Sequence, residues 1–231
     1  MLIDHIAWKW VPPQSFLGIV MHFVGRLTAP TMCFFLAEGF YYTRDRLKYG
    51  SRLFVFTLIS WIPFHFFETG SLPFYGNGQF YFDPVHQIQS MIFTLFLSFL
   101  ALCLLESNIF TPLKMVGIYL LCIVDMHADW HVVGILFTIV FYVTRRDKKY
   151  QVLFYAIIAS GTVFYKMAKS YVENGTPLNA LMQTGLLMFI PVILLYNGEK
   201  GSSHPVNKWF FYIFYPTHLV VLGLLRYFVF K

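Results

Sequence analysis

Residues 25–53, GRLTAPTMCFFLAEGFYYTRDRLKYGSRL, decide how the rest of this chain is read. An apolar run starts at Arg26 and is interrupted at Pro30 and Glu38. It ends in a cationic cluster, Arg44, Arg46, Lys48 and Arg52, and the next apolar run follows at once. An arginine and a carboxylate therefore sit on one segment of membrane depth. Desolvating either ion unpaired costs several kcal/mol, so Arg26 and Glu38 are expected to face a protein interior or a wet cavity rather than lipid.

Composition supports the same class. Of 231 residues 58% are hydrophobic, 20% aromatic and only 12% charged, too little polar surface to cover a soluble globule. The reading is an all-α, polytopic membrane protein forming a single integral-membrane domain over residues 1–231. A formal charge of +6 on a soluble domain would point to nucleic acid. Here the basic residues fall in short runs between apolar segments, where the positive-inside rule accounts for them and no nucleic-acid partner is implied. Cys33, Cys103 and Cys122 lie inside apolar runs without CxxC spacing, which indicates neither a disulfide framework nor a zinc site.

About nine apolar segments follow along the chain. The first, 1–11, stops at Pro12 and Pro13; at 1.5 Å per residue it makes only ~16 Å, half of a ~30 Å hydrocarbon core. It reads as a half-span or as the remainder of a longer helix with an upstream start. Residues 15–25 read as a short interfacial piece. Spans are then expected at 27–43, 53–67, 88–105, 113–124, 132–143, 152–167, 180–196 and 209–230. The loop 68–86 carries no Lys or Arg and reads as outside; 44–52 and RRDKK at 145–149 read as inside. Counted over nine crossings, the N-terminus falls inside and the C-terminus outside.

With no polar stretch longer than about twenty residues, any site must be built inside the helices. If the second helix continues past the membrane, Arg44, Lys48 and Arg52 share one face at four-residue spacing, a fit for a polyphosphate such as that of coenzyme A. The plainer reading is a topology signal. Asp4 and His5 form a second candidate site, because an intramembrane histidine can act as a general base. Neighbouring helical positions diverge by about 100°, so Asp4 is expected to pair elsewhere, with Arg26 the nearest arginine in sequence. His127 and His131 have i, i+4 spacing without a third ligand, and no metal is expected there. Asp129 and His218 sit at outer borders of their segments.

LIDHI at 2–6, the quoted block at 25–53, TLISWIPF at 57–64, ADW at 128–130 and YPTHL at 215–219 together resemble the TraX family, in order and over nearly the whole chain. Its named member N-acetylates pilin subunits in conjugation. More distantly the chain is similar to multi-span membrane acyltransferases that move acetyl groups from cytoplasmic acetyl-CoA across the membrane. The resemblance implies catalysis by His5, with Asp4, Arg26 and Glu38 setting its charge. It also implies coenzyme contacts by Arg44, Arg46, Lys48 and Arg52, and an acceptor entrance shaped by Asp129 and His218. Two departures stand out. Relatives carry about ten further apolar residues before the Asp-His pair, and their fourth span opens with Asn-Val before Phe-Thr where this chain has Ser90, Met91, Ile92, Phe93 and Thr94.

The resulting expectation is an acetyltransferase of the bacterial cell (inner) membrane, using acetyl-CoA as donor. The acceptor would be an envelope amine or hydroxyl: a pilin N-terminus, a glycan or a lipid headgroup. The alternative is a proton-coupled transporter or flippase whose relay runs through Asp4, His5, Arg26 and Glu38.

Overall fold

A computed structural model describes residues 1–72, 75–76, 79–80, 89–175, 178–199, 201 and 204–229. Most of the loop 68–86 lies outside these. The described chain is helical apart from a two-residue-per-strand hairpin, β1 (Tyr75–Gly76) paired antiparallel with β2 (Gln79–Phe80). It divides into two compact units, residues 1–41 with 136–199, and residues 42–135 with 200–231.

In the first unit α1 (Leu2–Trp10) packs on α2 (Phe16–Gly25). Ser15 starts α2, accepting from the Gly18 N–H at 3.0 Å while its hydroxyl donates to the Pro12 carbonyl. After a turn at Arg26 and Leu27 the chain enters α3 (Thr28–Tyr42). Phe16–Tyr42 is thereby one apolar run of 27 residues, about 40 Å long. This corrects the interfacial reading of 15–25: α2 continues into α3 because only a brief turn separates them.

The core of this unit is aromatic. Phe34 of α3 meets Phe141 of α7 (His131–Val143), Phe189 and Tyr196 edge-on, with centroids 5.0–5.8 Å apart. Tyr155 of α8 (Lys148–Asn174) stacks on Phe141 and donates its hydroxyl to the Leu186 carbonyl at 2.6 Å. Leu186 belongs to a 3-10 segment, Leu178–Phe189, unusually long for its type, followed by α9 (Ile190–Leu195).

In the second unit α4 (Arg46–Thr69) is capped by the Asp45 carboxylate, which accepts from the Lys48 N–H at 2.9 Å. It stops at Gly70, whose φ of 76° supplies the left-handed residue such ends favour. Against α4 pack α10 (Pro205–Val229) and α5 (Met91–Glu106), and α6 (Thr111–Asp125) packs on α5. Arg226 of α10 donates to the terminal carbonyls of Phe67 and Glu68 at 3.2 Å.

Among the described residues four helical runs are long and apolar enough to cross a membrane: Phe16–Tyr42, Arg46–Thr69, Lys148–Glu173 and Trp209–Phe228. Met91–Glu106, His131–Val143 and Ala180–Leu195 are apolar but shorter; sixteen residues reach ~24 Å against a ~30 Å core. The expected nine crossings thus reduce, on length and composition, to four. The inside–outside alternation counted on nine does not carry over.

Candidate functional site

Asp4 is the centre of the first site. Its Oδ1 accepts from His22 Nδ1 at 2.7 Å, and its carboxylate takes Arg26 Nη2 at 3.3–3.4 Å. His22 and Arg26 are four residues apart at the end of α2, on one face, and so both reach the same acid on α1. The side chains are 14%, 0% and 11% exposed for Asp4, His22 and Arg26. A Cβ on Gly25 would lie 2.5 Å from Asp4 Cβ and Cγ, so glycine is what lets α1 approach α2 this closely.

The carboxylate can only accept, so His22 Nδ1 carries a proton. In the neutral ring Nε2 then holds the basic lone pair. Nε2 is buried and has no hydrogen-bond partner among the described residues, while the Trp8 indole meets the imidazole edge-on at 4.9 Å. A carboxylate-oriented imidazole with its second nitrogen unpartnered can take a proton from a nucleophile that reaches it, although here the ring is fully buried. The expected histidine was His5, beside Asp4 on α1; the one hydrogen-bonded to Asp4 is His22, and its spacing to Arg26 was the signal available in the sequence.

Glu38 does not join this group. It lies about 18 Å along the helical path from Arg26 and is clamped instead by Arg145 through Nε–Oε1 at 2.7 Å and Nη2–Oε2 at 3.0 Å. Tyr196 donates to Oε2 at 2.8 Å, and the Arg145 guanidinium lies 3.8 Å above the Tyr41 ring. Arg145, read as part of a topology signal, is therefore the counter-ion of a buried acid.

In the second unit α3 has ended at Tyr42 and α4 begins at Arg46, so the four-residue register expected of Arg44, Lys48 and Arg52 survives only for Lys48 and Arg52. Lys48 pairs with Asp45 at 3.0 Å and Arg46 with Glu106 at 3.5 Å, both exposed, and Arg52 lies 5.5 Å from the Tyr49 ring. Arg44 is exposed in the turn. Of the two residues expected at an acceptor entrance, Asp129 is exposed, whereas His218 is 5% exposed and donates Nδ1–H to the Phe214 carbonyl at 2.9 Å. His127 lies in the turn before α7, so His127 and His131 do not share a helical face. No group of three metal-ligating side chains occurs among the described residues.

Fold and sites together define a helical membrane protein with ionised clusters buried among its apolar helices. The TraX protein family model matches residues 1–226, and the chain belongs to that family. It is 31% identical over 228 residues to a probable fimbrial assembly protein FimC, serogroup H1, of Dichelobacter nodosus, covering 96% of this chain and 89% of the relative. No solved structure matches.

Proposed function

We propose that this protein is a membrane acetyltransferase that moves an acetyl group from cytoplasmic acetyl-CoA to an amine or hydroxyl of an envelope acceptor. The observation that carries this reading is the Asp4–His22 hydrogen bond of 2.7 Å with the buried His22 Nε2 unpartnered among the described residues. In the proposed step Nε2 takes the proton of the acceptor as its nitrogen or oxygen bonds to the thioester carbon; the carbon–sulfur bond breaks, and coenzyme A leaves and takes up a proton. Arg26 keeps Asp4 ionised and in place. Family resemblance assigns the base to His5, and geometry favours His22.

Arg44, Arg46, Lys48 and Arg52 are proposed to hold the phosphates of the coenzyme, helped by the positive end of α4. A relative named for fimbrial assembly supports a pilin as acceptor, with a glycan or lipid headgroup as the other acceptors of the right chemistry. The location that follows is the bacterial inner membrane, where acetyl-CoA is at hand on one face.

The test is acetyl-CoA binding and acetyl transfer by the purified protein in detergent. Saturable binding that Arg44→Ala weakens, with transfer that His22→Asn removes, supports the reading. A folded sample that binds no acetyl-CoA defeats it.

A further inference from the structure

Asp4, Glu38 and Asp125 are three acids drawn into the protein interior, and they are not treated alike. Asp4 faces Arg26 and His22, and Glu38 faces Arg145. Asp125, the last residue of α6, is 0% exposed, and no Lys, Arg or His pairs with it among the described residues. Its Oδ1 accepts from Thr94 Oγ1 at 2.8 Å, and its Oδ2 has no hydrogen-bond partner there.

Thr94 is the middle of a series. Thr94 and Ser98, at four-residue spacing, share one face of α5 about 6 Å apart along its axis, and Ser90 is the extended residue that precedes the helix. Ser90, Thr94 and Ser98 are 1%, 0% and 0% exposed; the Ser98 hydroxyl has no partner among the described residues, and Ser90 lies beside the Tyr215 hydroxyl. The titratable groups nearby are Cys122 one turn earlier on α6, His127 and Asp129 in the turn that follows, and Tyr215 of α10, whose hydroxyl accepts from the Met91 N–H at 3.3 Å. On α5 the acid is Glu106, at the far end of the helix and paired with Arg46.

A buried carboxylate without a counter-ion costs several kcal/mol, and one hydroxyl donor offsets only part of that. The neutral acid relieves the charge, while the Thr94 hydrogen bond keeps the ionised form accessible.

We propose that Asp125 is a proton-binding site, taking a proton from hydronium and returning it to water past the Thr94 and Ser98 hydroxyls of α5. The exchange is carboxylate plus hydronium to carboxylic acid plus water, and it needs no other reactant. A proton relay read from the sequence falls on Asp4, His5, Arg26 and Glu38; the geometry points to Asp125, because Asp4 and Glu38 are each paired with an arginine. This inference is independent of the acetyltransferase reading.

Infrared titration of the full-length protein in detergent tests it, with Asp125→Asn as the near-isosteric reference. The expected result is a protonated-carboxyl carbonyl band present in the parent at low pH, lost as pH rises, and absent from the variant at every pH. Thr94→Val, which removes the donor to the charged form, moves the midpoint upward by about one pH unit, a tenfold gain in proton affinity. If a folded Asp125→Asn sample gives the same spectra as the parent, or the band does not change between about pH 5 and about pH 9, the proposal is overturned.

Discussion

His22 donates from Nδ1 to Asp4 Oδ1 across 2.7 Å, joining a nine-residue helix to the next one through a fully buried ring. On the proposed activity this bond makes His22 the base. His22→Asn keeps a donor near Asp4 but has no basic Nε2. Transfer is expected to fall by about 10²–10⁴-fold with acetyl-CoA binding within a few-fold of the parent. Full transfer by that variant, with His5→Ala inactive, would return the role to His5.

Gly25→Ala should separate α1 from α2. The new methyl would overlap Asp4 Cβ and Cγ, and relief requires one helix to shift. A destabilisation of about 1–3 kcal/mol is expected, read from thermal unfolding in detergent. Unchanged unfolding would mean that the helices are not held this closely.

Glu38→Gln should be more damaging than its conservative chemistry implies. It leaves the Arg145 guanidinium, 17% exposed, without its bidentate partner. About 3–5 kcal/mol of stability is expected to be lost, against about 1 kcal/mol for Tyr196→Phe, which removes a single hydrogen bond. Denaturant unfolding of the two variants side by side measures the difference.

The cation turn makes a separate prediction. Replacing Arg44 and Lys48 together should weaken acetyl-CoA binding and flatten its dependence on ionic strength, because fewer charges remain to be screened. Binding as tight and as salt-sensitive as the parent's would reduce the cluster to a topology signal.

Asp45 ties the same turn to pH. The Lys48 backbone N–H, and then its side chain, hold the Asp45 carboxyl below the usual carboxylate range. A folded-state value depressed in this way contributes stability above the unfolded value of about 3.9, and the contribution is lost as pH falls through the folded value. Asp45→Asn keeps a cap without the charge. The gap in unfolding temperature between parent and variant should therefore close as the solution is acidified below about pH 4.

How much of this was legible in advance differs from one residue to another. The membrane class, the all-helical fold and the TraX resemblance follow from apolar runs and motif order, which are properties of neighbouring residues. Asp4 was expected to find Arg26 because it points away from His5 on the helix and Arg26 is the nearest arginine in sequence. The partner of Glu38 was not legible: Arg145 lies 107 positions away, inside a basic run whose sequence reads equally well as a topology signal. The nine crossings failed for a related reason. Hydropathy shows that a segment avoids water, and whether it is straight, capped or long enough is set by where its helix ends.

What the sequence by itself determined is the environment this protein lives in, because burying so much apolar surface is a demand that composition alone creates. Only the tertiary structure decided which charges answer one another. It placed His22 on Asp4, gave Glu38 to Arg145, and, among the described residues, left Asp125 with a hydroxyl and no cation. The physical reason is range: an ion pair or a hydrogen bond forms only within a few ångströms, and which distant residues come that close is settled by helix packing and not by their order along the chain.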